Sequence, residues 1–344
     1  MGGAAGAGGS STPAGGKAGT GGSSGGAAGS AGAGGKATGG AAGAGGAAGA
    51  PGKAFSQCRF HFGAIDEFAR ESAPLRQQLD YYVPGWMGQS DSFDMRYVCD
   101  EANGVLSGLV PVIVSYVIAF NARRHDGLED CNVDDNTNLC RFGATYIRNH
   151  LEARIIPNYR MYAQAFAACY GTTKPIVFLM EPDFYQYSVG GDANELTAQE
   201  SGQIMGRLVS TIRQSLPNAV FSLDISPWIP SNGASWYPSF NLADFTFINT
   251  SGGGTDADNT RIRSNNAMTW AGVRRVTGKP ILADTGYGVA GQPTGHDTVW
   301  DSVSNLNARI ADGVVGIAQY NPSSSWANTI TQIRPQLSQP SVCP

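Results

Sequence analysis

From residue 55 onward, short apolar runs alternate with longer stretches whose apolar residues recur at helical spacing. Apolar runs bounded by turn residues predict buried strands, here at residues 59–65, 110–118, 175–180, 219–223, 245–248, 280–283 and 314–319. Helical spacing is clearest over 143–170 and 197–215, and the second stretch opens with the capping-box sequence Thr197-Ala198-Gln199-Glu200. This alternation predicts an α/β fold, a (β/α) TIM-like barrel that is distorted or seven-stranded.

Four of the predicted strands end in acidic or amide side chains. Glu181-Pro182-Asp183 follows the run at 175–180, and Asp224, Asn249 and Asp284 close the next three runs. Ligands of parallel α/β folds meet the carboxyl ends of the strands, so these groups are expected around one pocket. Each also has a structural alternative, because strand-end carboxyls can form buried ion pairs, cap helices or stabilise turns.

Composition divides the chain near residue 52. Residues 1–52 are almost wholly Gly, Ala, Ser and Thr, with Lys17 and Lys36 as the only charged side chains. Such a segment has no large apolar groups to bury, so we expect a flexible linker followed by one catalytic barrel domain over 53–344.

Charge and hydropathy narrow the partners of the barrel. Of the chain's 23 basic and 27 acidic residues, only the two lysines fall before residue 53, so the predicted domain has a net charge of −6. An acidic domain without a basic stripe is not expected to bind nucleic acid. No apolar stretch reaches about 18 residues, so no membrane span is predicted, and we expect a monomer.

The cysteines favour disulfides over metal binding. Six are present, an even number, without a CxxC pair or a Cys/His cluster of zinc spacing: Cys58, Cys99, Cys131, Cys140, Cys169 and Cys343. Cys131 and Cys140 bracket a polar loop that a local bridge would close, and Cys343 would tie down the C-terminus, although spacing leaves the pairing open. A disulfide-bearing domain on a linker favours a secreted or cell-surface location.

The acids and aromatic residues together favour carbohydrate chemistry. Hydrolysis of a glycosidic bond needs one acid to protonate the leaving oxygen and one carboxylate to act as nucleophile or to activate water. Aromatic rings in predicted loops offer platforms for sugar faces: Trp86, Tyr185, Tyr187, Trp228, Trp236, Tyr237, Tyr287 and Trp326. A neutral polysaccharide or oligosaccharide is therefore the expected partner, and no cofactor is expected.

The order of the strand-end motifs resembles the inverting cellulases of glycoside hydrolase family six. The resemblance covers roughly residues 110–330 and is carried by Glu181-Pro182-Asp183, by Leu223-Asp224 with Trp228 after it, by Asn249, and by Asp284-Thr285-Gly286. It implies a barrel that cleaves a β-linked glucan such as cellulose with inversion.

Two family features are altered here. The family's acid lies in an Arg-Asp-Cys sequence after the strand that here ends near Tyr116, and this chain offers Asp126 or Asp130 instead. The segment that carries the family's proposed base would fall at 318–325, where no carboxyl is present. The resemblance then implies Asp126 or Asp130 as the acid, with Glu181, Asp183 and Asp224 shaping the charge and Asp284 orienting water or serving as base.

Two alternatives remain open. In a retaining barrel, Glu181 would be the acid/base and Asp284 the nucleophile, and a non-catalytic carbohydrate-binding protein would have lost the chemistry. The residues expected to contact substrate are Asp66, Tyr116, Tyr185, Asp224, Trp228, Asn249, Tyr287 and Trp326. No metal is expected, because the cluster Asp134, Asp135, Asn136 and Asn138 lacks the Gly and terminal Glu of a calcium loop.

Overall fold

The structure is a computed structural model that describes residues 53–129, 131, 136–191, 194–251, 260–262, 267–286 and 295–342. Its strands are β1 (His61–Ile65), β2 (Tyr81–Val83), β3 (Trp86–Met87), β4 (Val110–Ser115), β5 (Ile176–Met180), β6 (Ala219–Asp224), β7 (Phe247–Ser251), β8 (Ile281–Asp284) and β9 (Val314–Gln319). Its helices are α1 (Asp66–Glu71), α2 (Ala73–Arg76), α3 (Arg96–Glu101), α4 (Val117–Asp126), α5 (Leu139–His150), α6 (Ile156–Tyr170), α7 (Phe184–Val189), α8 (Ala198–Arg213), α9 (Trp270–Thr277), α10 (Val303–Asp312) and α11 (Trp326–Ile333). A π-helix, Leu151–Ile155, joins α5 to α6, and short 3-10 segments occur at Pro230–Gly233, Tyr237–Ser239, Leu242–Asp244, Thr298–Asp301 and Arg334–Gln336.

The strands close into a parallel barrel. The sheet runs β2-β1-β9-β8-β7-β6-β5-β4, and the pairing of β2 with β4 completes the ring. Short β3 pairs with the end of β4, whereas β2 pairs with its beginning, so β2 and β3 form one strand interrupted at Pro84 and Gly85. The predicted (β/α) barrel is thus confirmed as an eight-stranded one, and the seven-stranded version is wrong because the sequence reading missed this broken strand.

The boundaries of several elements differ from the sequence prediction. The predicted strand at 110–118 ends at Ser115, because Val117 and Ile118 already form the first turn of α4. The predicted helix at 143–170 is the succession of α5, the π-helix and α6. The capping box is confirmed: the amide N–H of Glu200 donates to Thr197 Oγ1 at 3.1 Å, and the Thr197 N–H donates to the Glu200 carboxylate at 2.8 Å.

Side chains along each strand point alternately into the barrel and towards the helices, which produces two apolar layers. Inward-facing side chains such as Tyr81, Val112 and Phe247 form the barrel core, which Phe55 joins from the segment before β1. The opposite strand faces pack against the helices in a larger cluster. At the strand ends, the side chains that continue the inward-facing alternation are therefore expected to face the barrel opening.

Disulfides brace the helical layer. Cys131–Cys140 closes the loop between α4 and α5, as the spacing suggested, and Cys99–Cys169 joins α3 to α6. Cys58 is also disulfide-bonded, and the expectation for Cys343 lies outside the described residues. Among the helices of the described ranges, none combines the length and apolar character needed to cross a membrane.

Candidate functional site

Strand register brings several of the predicted residues to one level of the barrel. Ser115 pairs with Met180 and Met180 with Leu223, so Tyr116, Glu181 and Asp224 each stand one step beyond this row. Asp224 pairs with Asn249 in turn. Neighbouring strands lie about 4.8 Å apart, so the predicted groups on β4 to β7 are adjacent at the carboxyl end.

Asp284 completes an arc on the next strand. It pairs with Ser251 on one side and Ala318 on the other, and it lines a small cavity in the barrel together with Asn249 and Tyr81. Asn249 is 3 % exposed and Asp284 5 %. Burial raises the pKa of Tyr81 well above its usual value, and the charge of Asp284 adds to this effect. We call Asp224, Asn249 and Asp284 the barrel-end cluster.

An exposed aromatic ring follows the cluster. Trp228 comes four residues after Asp224 and is 48 % exposed, which is unusual for a side chain of this size. Asp224 itself is partly exposed. The structure therefore combines an accessible carboxyl and a nearby aromatic surface after β6.

Glu181 faces a helix rather than the barrel opening. Its carboxylate accepts hydrogen bonds from the backbone N–H groups of Val117 and Ile118, at 3.0 and 3.1 Å, and from the hydroxyl of Tyr159 at 2.6 Å. Its side chain is completely buried, and burial raises its pKa to about 8 although the three donors lower it. This is the helix-cap alternative: a carboxyl group that accepts hydrogen bonds from free N–H groups at the N-terminus of α4.

Asp183 is the accessible acid of the Glu-Pro-Asp motif. Its carboxylate accepts hydrogen bonds from Gln186 Nε2 at 2.7 Å and from the Tyr116 hydroxyl at 3.4 Å. The Tyr187 hydroxyl donates to that of Tyr116, and the edge of the Trp86 ring packs on Tyr116 with centroids 5.0 Å apart. Tyr116 and Tyr187 are themselves buried in the core that packs against the helices, so the partly exposed Asp183 is the accessible group of this cluster.

Asp126 is not brought to the strand ends. It is the last residue of α4, about 14 Å along the helix axis from Val117 at a rise of 1.5 Å per residue. Its carboxylate forms ion pairs with Arg154 at 2.9 Å and His150 at 3.1 Å. The expectation that it flanks the scissile bond assumed a loop folding over the barrel, whereas α4 carries it away.

Three further predicted residues also lie apart from the barrel-end cluster. Asp66 begins α1 and is hydrogen-bonded to Glu101 of α3; burial raises the pKa of Asp66. Trp326 begins α11 and is fully buried against Phe62 and His296, so it presents no face to a sugar, contrary to expectation. Tyr185 is half-buried on α7 with its ring edge-on to Trp236.

Some candidates cannot be placed. Asp130 and Tyr287 lie outside the described residues, as do Asp134 and Asp135 of the calcium alternative. Within the described ranges, no group of three or more His, Cys, Asp or Glu side chains is arranged to hold a metal ion.

Gln319, the last residue of β9, was not among the site residues predicted from the sequence. Its side chain is fully buried, with Oε1 accepting from the Asp297 N–H at 3.0 Å and Nε2 donating to the Asp297 carbonyl at 2.8 Å. It lies in the 318–325 segment, which lacks a carboxyl, and it holds the partly exposed Asp297 at the strand end. The sequence did contain a signal for this residue, because Gln319 ends an apolar run in the same way as Asp224 and Asp284.

No protein-family model matches the sequence, and no curated protein matches it. Among solved structures, GH26C from Muricauda sp. has a TM-score of 0.56 at 14 % identity, covering 84 % of this chain and 89 % of that one. The GH26 β-mannanase BoMan26A of Bacteroides ovatus has a TM-score of 0.53 at 11 % identity, covering 83 % and 92 %. The endoglucanase Cel6 of Mycobacterium tuberculosis has a TM-score of 0.41 at 16 % identity, covering 72 % and 79 %.

The two likenesses with TM-scores above 0.5 support the fold class. The chain is a (β/α)8 barrel with distant structural similarity to glycoside hydrolase barrels. One barrel fold carries many chemistries, so activity must be argued from the site.

Proposed function

We propose that this protein is an exported glycoside hydrolase whose reacting groups lie at the carboxyl end of the barrel, around the barrel-end cluster. The observation that carries the proposal is the position of Asp224 and Asp284 as the last residues of β6 and β8, with Asn249 of the intervening β7 paired to Asp224. In barrel enzymes, residues at strand ends are the usual catalytic ones. Hydrolysis of a β-linked glucan, the activity that the family resemblance implies, needs no group beyond these carboxyls and water.

We take inversion as the mechanism because the family resemblance implies it. Asp224 and Asp284 stand on strands separated by one other strand, so their backbones are at least roughly 9–10 Å apart at a spacing of about 4.8 Å per strand. Retaining enzymes hold the two carboxyl groups themselves at about 5–5.5 Å and inverting ones at about 6.5–9.5 Å, so this backbone separation is compatible with either mechanism. We assign Asp284 as the base and Asp224 or Asp183 as the acid.

The retaining alternative loses support from the environment of Glu181. An acid/base residue must reach the glycosidic oxygen, and the carboxylate of Glu181 is engaged by Val117, Ile118 and Tyr159 in a fully buried position. We therefore propose a positioning role for Glu181, which fixes α4 and with it Tyr116 beside Asp183.

The disulfides support a proposal about the compartment in which the protein acts. The two disulfides Cys99–Cys169 and Cys131–Cys140, together with the disulfide-bonded Cys58, suit an oxidising compartment, and we propose that the protein acts outside the cytoplasm.

The test is turnover of purified protein on cellulose, mixed-linkage glucan and mannan, measured as release of reducing ends. We expect Asp284→Asn and Asp224→Asn each to lower kcat at least 100-fold with little change in melting temperature, since acid/base groups contribute about 10²–10⁴-fold. Asp126→Asn, at the end of α4, is the matched control and should retain activity. Activity that survives Asp284→Asn, or that disappears in Asp126→Asn, would contradict the assignment.

A second candidate is a non-catalytic carbohydrate-binding barrel. Gln319 favours it, because an amide engaged with the backbone of Asp297 stands in the segment where the family resemblance would place a base. Oligosaccharide binding that depends on Trp228, without turnover by the intact protein on any of the glucans, would establish this role instead.

A further inference from the structure

Asp183 has an unusual conformation for the residue that precedes a helix. It is the N-cap of α7, a position where an aspartate side chain normally accepts a hydrogen bond from an N–H group of the first helical turn. The Asp183 side chain forms no such cap, and its backbone lies in the left-handed region, with φ at 69°. Non-glycine residues in this region are strained and are concentrated at functional sites. Helix capping therefore does not account for this carboxyl.

The side chain of Gln186 contacts the carboxyl instead. Gln186 is the third residue of α7, and its Nε2 donates to Asp183 Oδ1 at 2.7 Å. In a capping box, the third residue would accept from the backbone N–H of the N-cap, so this contact between two side chains is a different arrangement. An amide nitrogen only donates, which favours Oδ2 as the oxygen that carries the proton of a neutral Asp183. The hydroxyl of Tyr116 lies 3.4 Å from Oδ2.

Close packing between α5 and α7 holds Gln186 in place. A Cβ atom added at Gly143 of α5 would lie only 2.8 Å from the carbonyl oxygen of Tyr187, so the two helices approach each other through their backbones. Cys140 Sγ lies 3.8 Å from Gln186 Oε1. This sulfur belongs to the Cys131–Cys140 disulfide and carries no hydrogen, so the contact is one of packing. One end of the amide thus packs on the N-terminus of α5, and the other end donates to the carboxyl.

We propose that Gln186 is a positioning residue that holds the Asp183 carboxyl so that its Oδ2 gives the proton to the leaving sugar. The inference rests on the proposed function, in which Asp183 is one of two candidates for the acid. Asp224, the other candidate, would then stabilise the positive charge that develops on the sugar.

The contact assists the proton transfer itself. The Oδ2–H bond of Asp183 breaks as the proton passes to the glycosidic oxygen, and that oxygen leaves with the electron pair of its bond to the anomeric carbon. Water deprotonated by Asp284 forms the new bond to this carbon. The Asp183 carboxylate that remains keeps the hydrogen bond from Gln186, and such a donor favours the charged form of a carboxyl over the neutral form. Gln186 thereby makes Asp183 a stronger acid and fixes which oxygen gives the proton.

Three substitutions of Gln186 test this role because their expected effects differ in direction. Gln186→Leu removes the donor, Gln186→Glu places a second carboxylate beside Asp183, and Gln186→Lys places a cation there. A carboxyl loses its proton less readily without a donor or beside a like charge, and more readily beside a cation. The pH at which kcat/KM declines on the alkaline side should therefore rise in Gln186→Leu, rise further in Gln186→Glu, and fall in Gln186→Lys. A purely structural role of Gln186 would not reverse the direction of the change.

The same order can be measured without turnover. The side-chain carboxyl of Asp183 is titrated by NMR in protein with isotope-labelled aspartate, and its signal is identified by its loss in Asp183→Asn. We expect the midpoint to increase from Gln186→Lys through the wild type and Gln186→Leu to Gln186→Glu. In Gln186→Leu, kcat should fall about tenfold or more with KM nearly unchanged. Gln203→Leu makes the same change at an exposed position of α8, and as the matched control it should behave as the wild type.

The outcomes separate this inference from the hydrolase assignment. Wild-type turnover with the same pH profile in all three Gln186 variants would overturn the role of Gln186 and leave Asp224 as the acid of an intact hydrolase. Midpoints that depart from the expected order would also overturn it, whether or not the melting temperature falls. A wild type without turnover on cellulose, mixed-linkage glucan and mannan would overturn the hydrolase assignment and, with it, the acid role of Asp183.

Discussion

At the scale of single residues, Glu181 shows how a strand-end acid can be withdrawn from an opening. Val177 and Leu179 of β5 face the barrel core, so simple alternation would turn Glu181 inward as well. Its positive φ of 44°, followed by 69° at Asp183, breaks this alternation, and the side chain turns to the N-terminus of α4. The sequence reading identified the motif correctly as a strand end, but it had no means to foresee the backbone turn.

Substitution of Glu181 distinguishes a helix-capping role of this side chain from a catalytic role. Glutamine keeps one oxygen for the N–H groups of Val117 and Ile118, so Glu181→Gln should unfold at nearly the wild-type denaturant concentration and keep most of its activity. Glu181→Ala leaves buried donors unsatisfied and should lower the free energy of unfolding by at least about 1–3 kcal/mol. Urea denaturation and turnover assays check both; a stable but inactive Glu181→Gln protein would restore Glu181 to the catalytic set.

At the scale of elements, the sequence predicted best where local chemistry and periodicity agreed. The helix α8 begins at its capping box, and β9 has the predicted bounds. Errors arose where tertiary context decided: β2 has only three residues before Pro84, and Val117-Ile118 extends an apolar run into a helix. Short apolar runs do not distinguish a buried strand from a buried helical turn.

The prediction of the site residues was limited in the same way, because it rested on local features of the sequence. Asp224 and Asp284 were found because each ends a strand, a local feature, whereas Asn249 was expected to follow its strand and lies in the middle of β7. Asp126 was displaced because the sequence reading extended the preceding strand to residue 118 and did not recognise α4. Trp326 follows three serines and resembled a loop residue, but it begins α11 and is buried.

The two described disulfides should contribute unequally to stability. Cys99–Cys169 closes a loop of 70 residues between α3 and α6, whereas Cys131–Cys140 closes one of 9. By chain entropy, the long bridge should contribute about 4 kcal/mol and the short one about 2–3 kcal/mol. We expect Cys99→Ser/Cys169→Ser to lower the melting temperature more than Cys131→Ser/Cys140→Ser under identical non-reducing conditions. The reverse order would show that strain or denatured-state structure outweighs loop length.

At the scale of the whole molecule, buried carboxyls make stability depend on pH. Burial, with the nearby charge of Asp66, raises the pKa of Glu101 to about 8, and burial raises that of Glu181 to a similar value. The folded protein therefore holds protons that the unfolded chain, with a glutamate pKa of about 4.3, releases. The stabilisation that these two protonated groups contribute is complete below about pH 4, and it is lost as the pH rises toward 8.

Glu101→Gln tests this dependence. Glutamine resembles the protonated acid and can still contact Arg70, whose Nη1 lies 3.1 Å from Glu101 Oε1 in the wild type. We expect the free energy of unfolding to fall between pH 5 and 8 with a smaller slope in Glu101→Gln, by up to about 1.4 kcal/mol per pH unit for one proton. Denaturation in urea at four pH values measures both slopes. Identical slopes would show that Glu101 is already ionised in the folded protein.

Near the start of β2, Asp80 joins the beginning and end of the described barrel. Its carboxylate contacts Arg59 at 2.6 Å and Arg334 at 3.4 Å, and Asp80 lies at the amino ends of the strands, opposite the barrel-end cluster. Arg59 near the beginning and Arg334 near the end of the described barrel therefore both lie at the face away from the opening. Attachment to a solid support through either end would leave substrate access unobstructed, and a circularly permuted variant joined at these ends would need only a short connecting peptide.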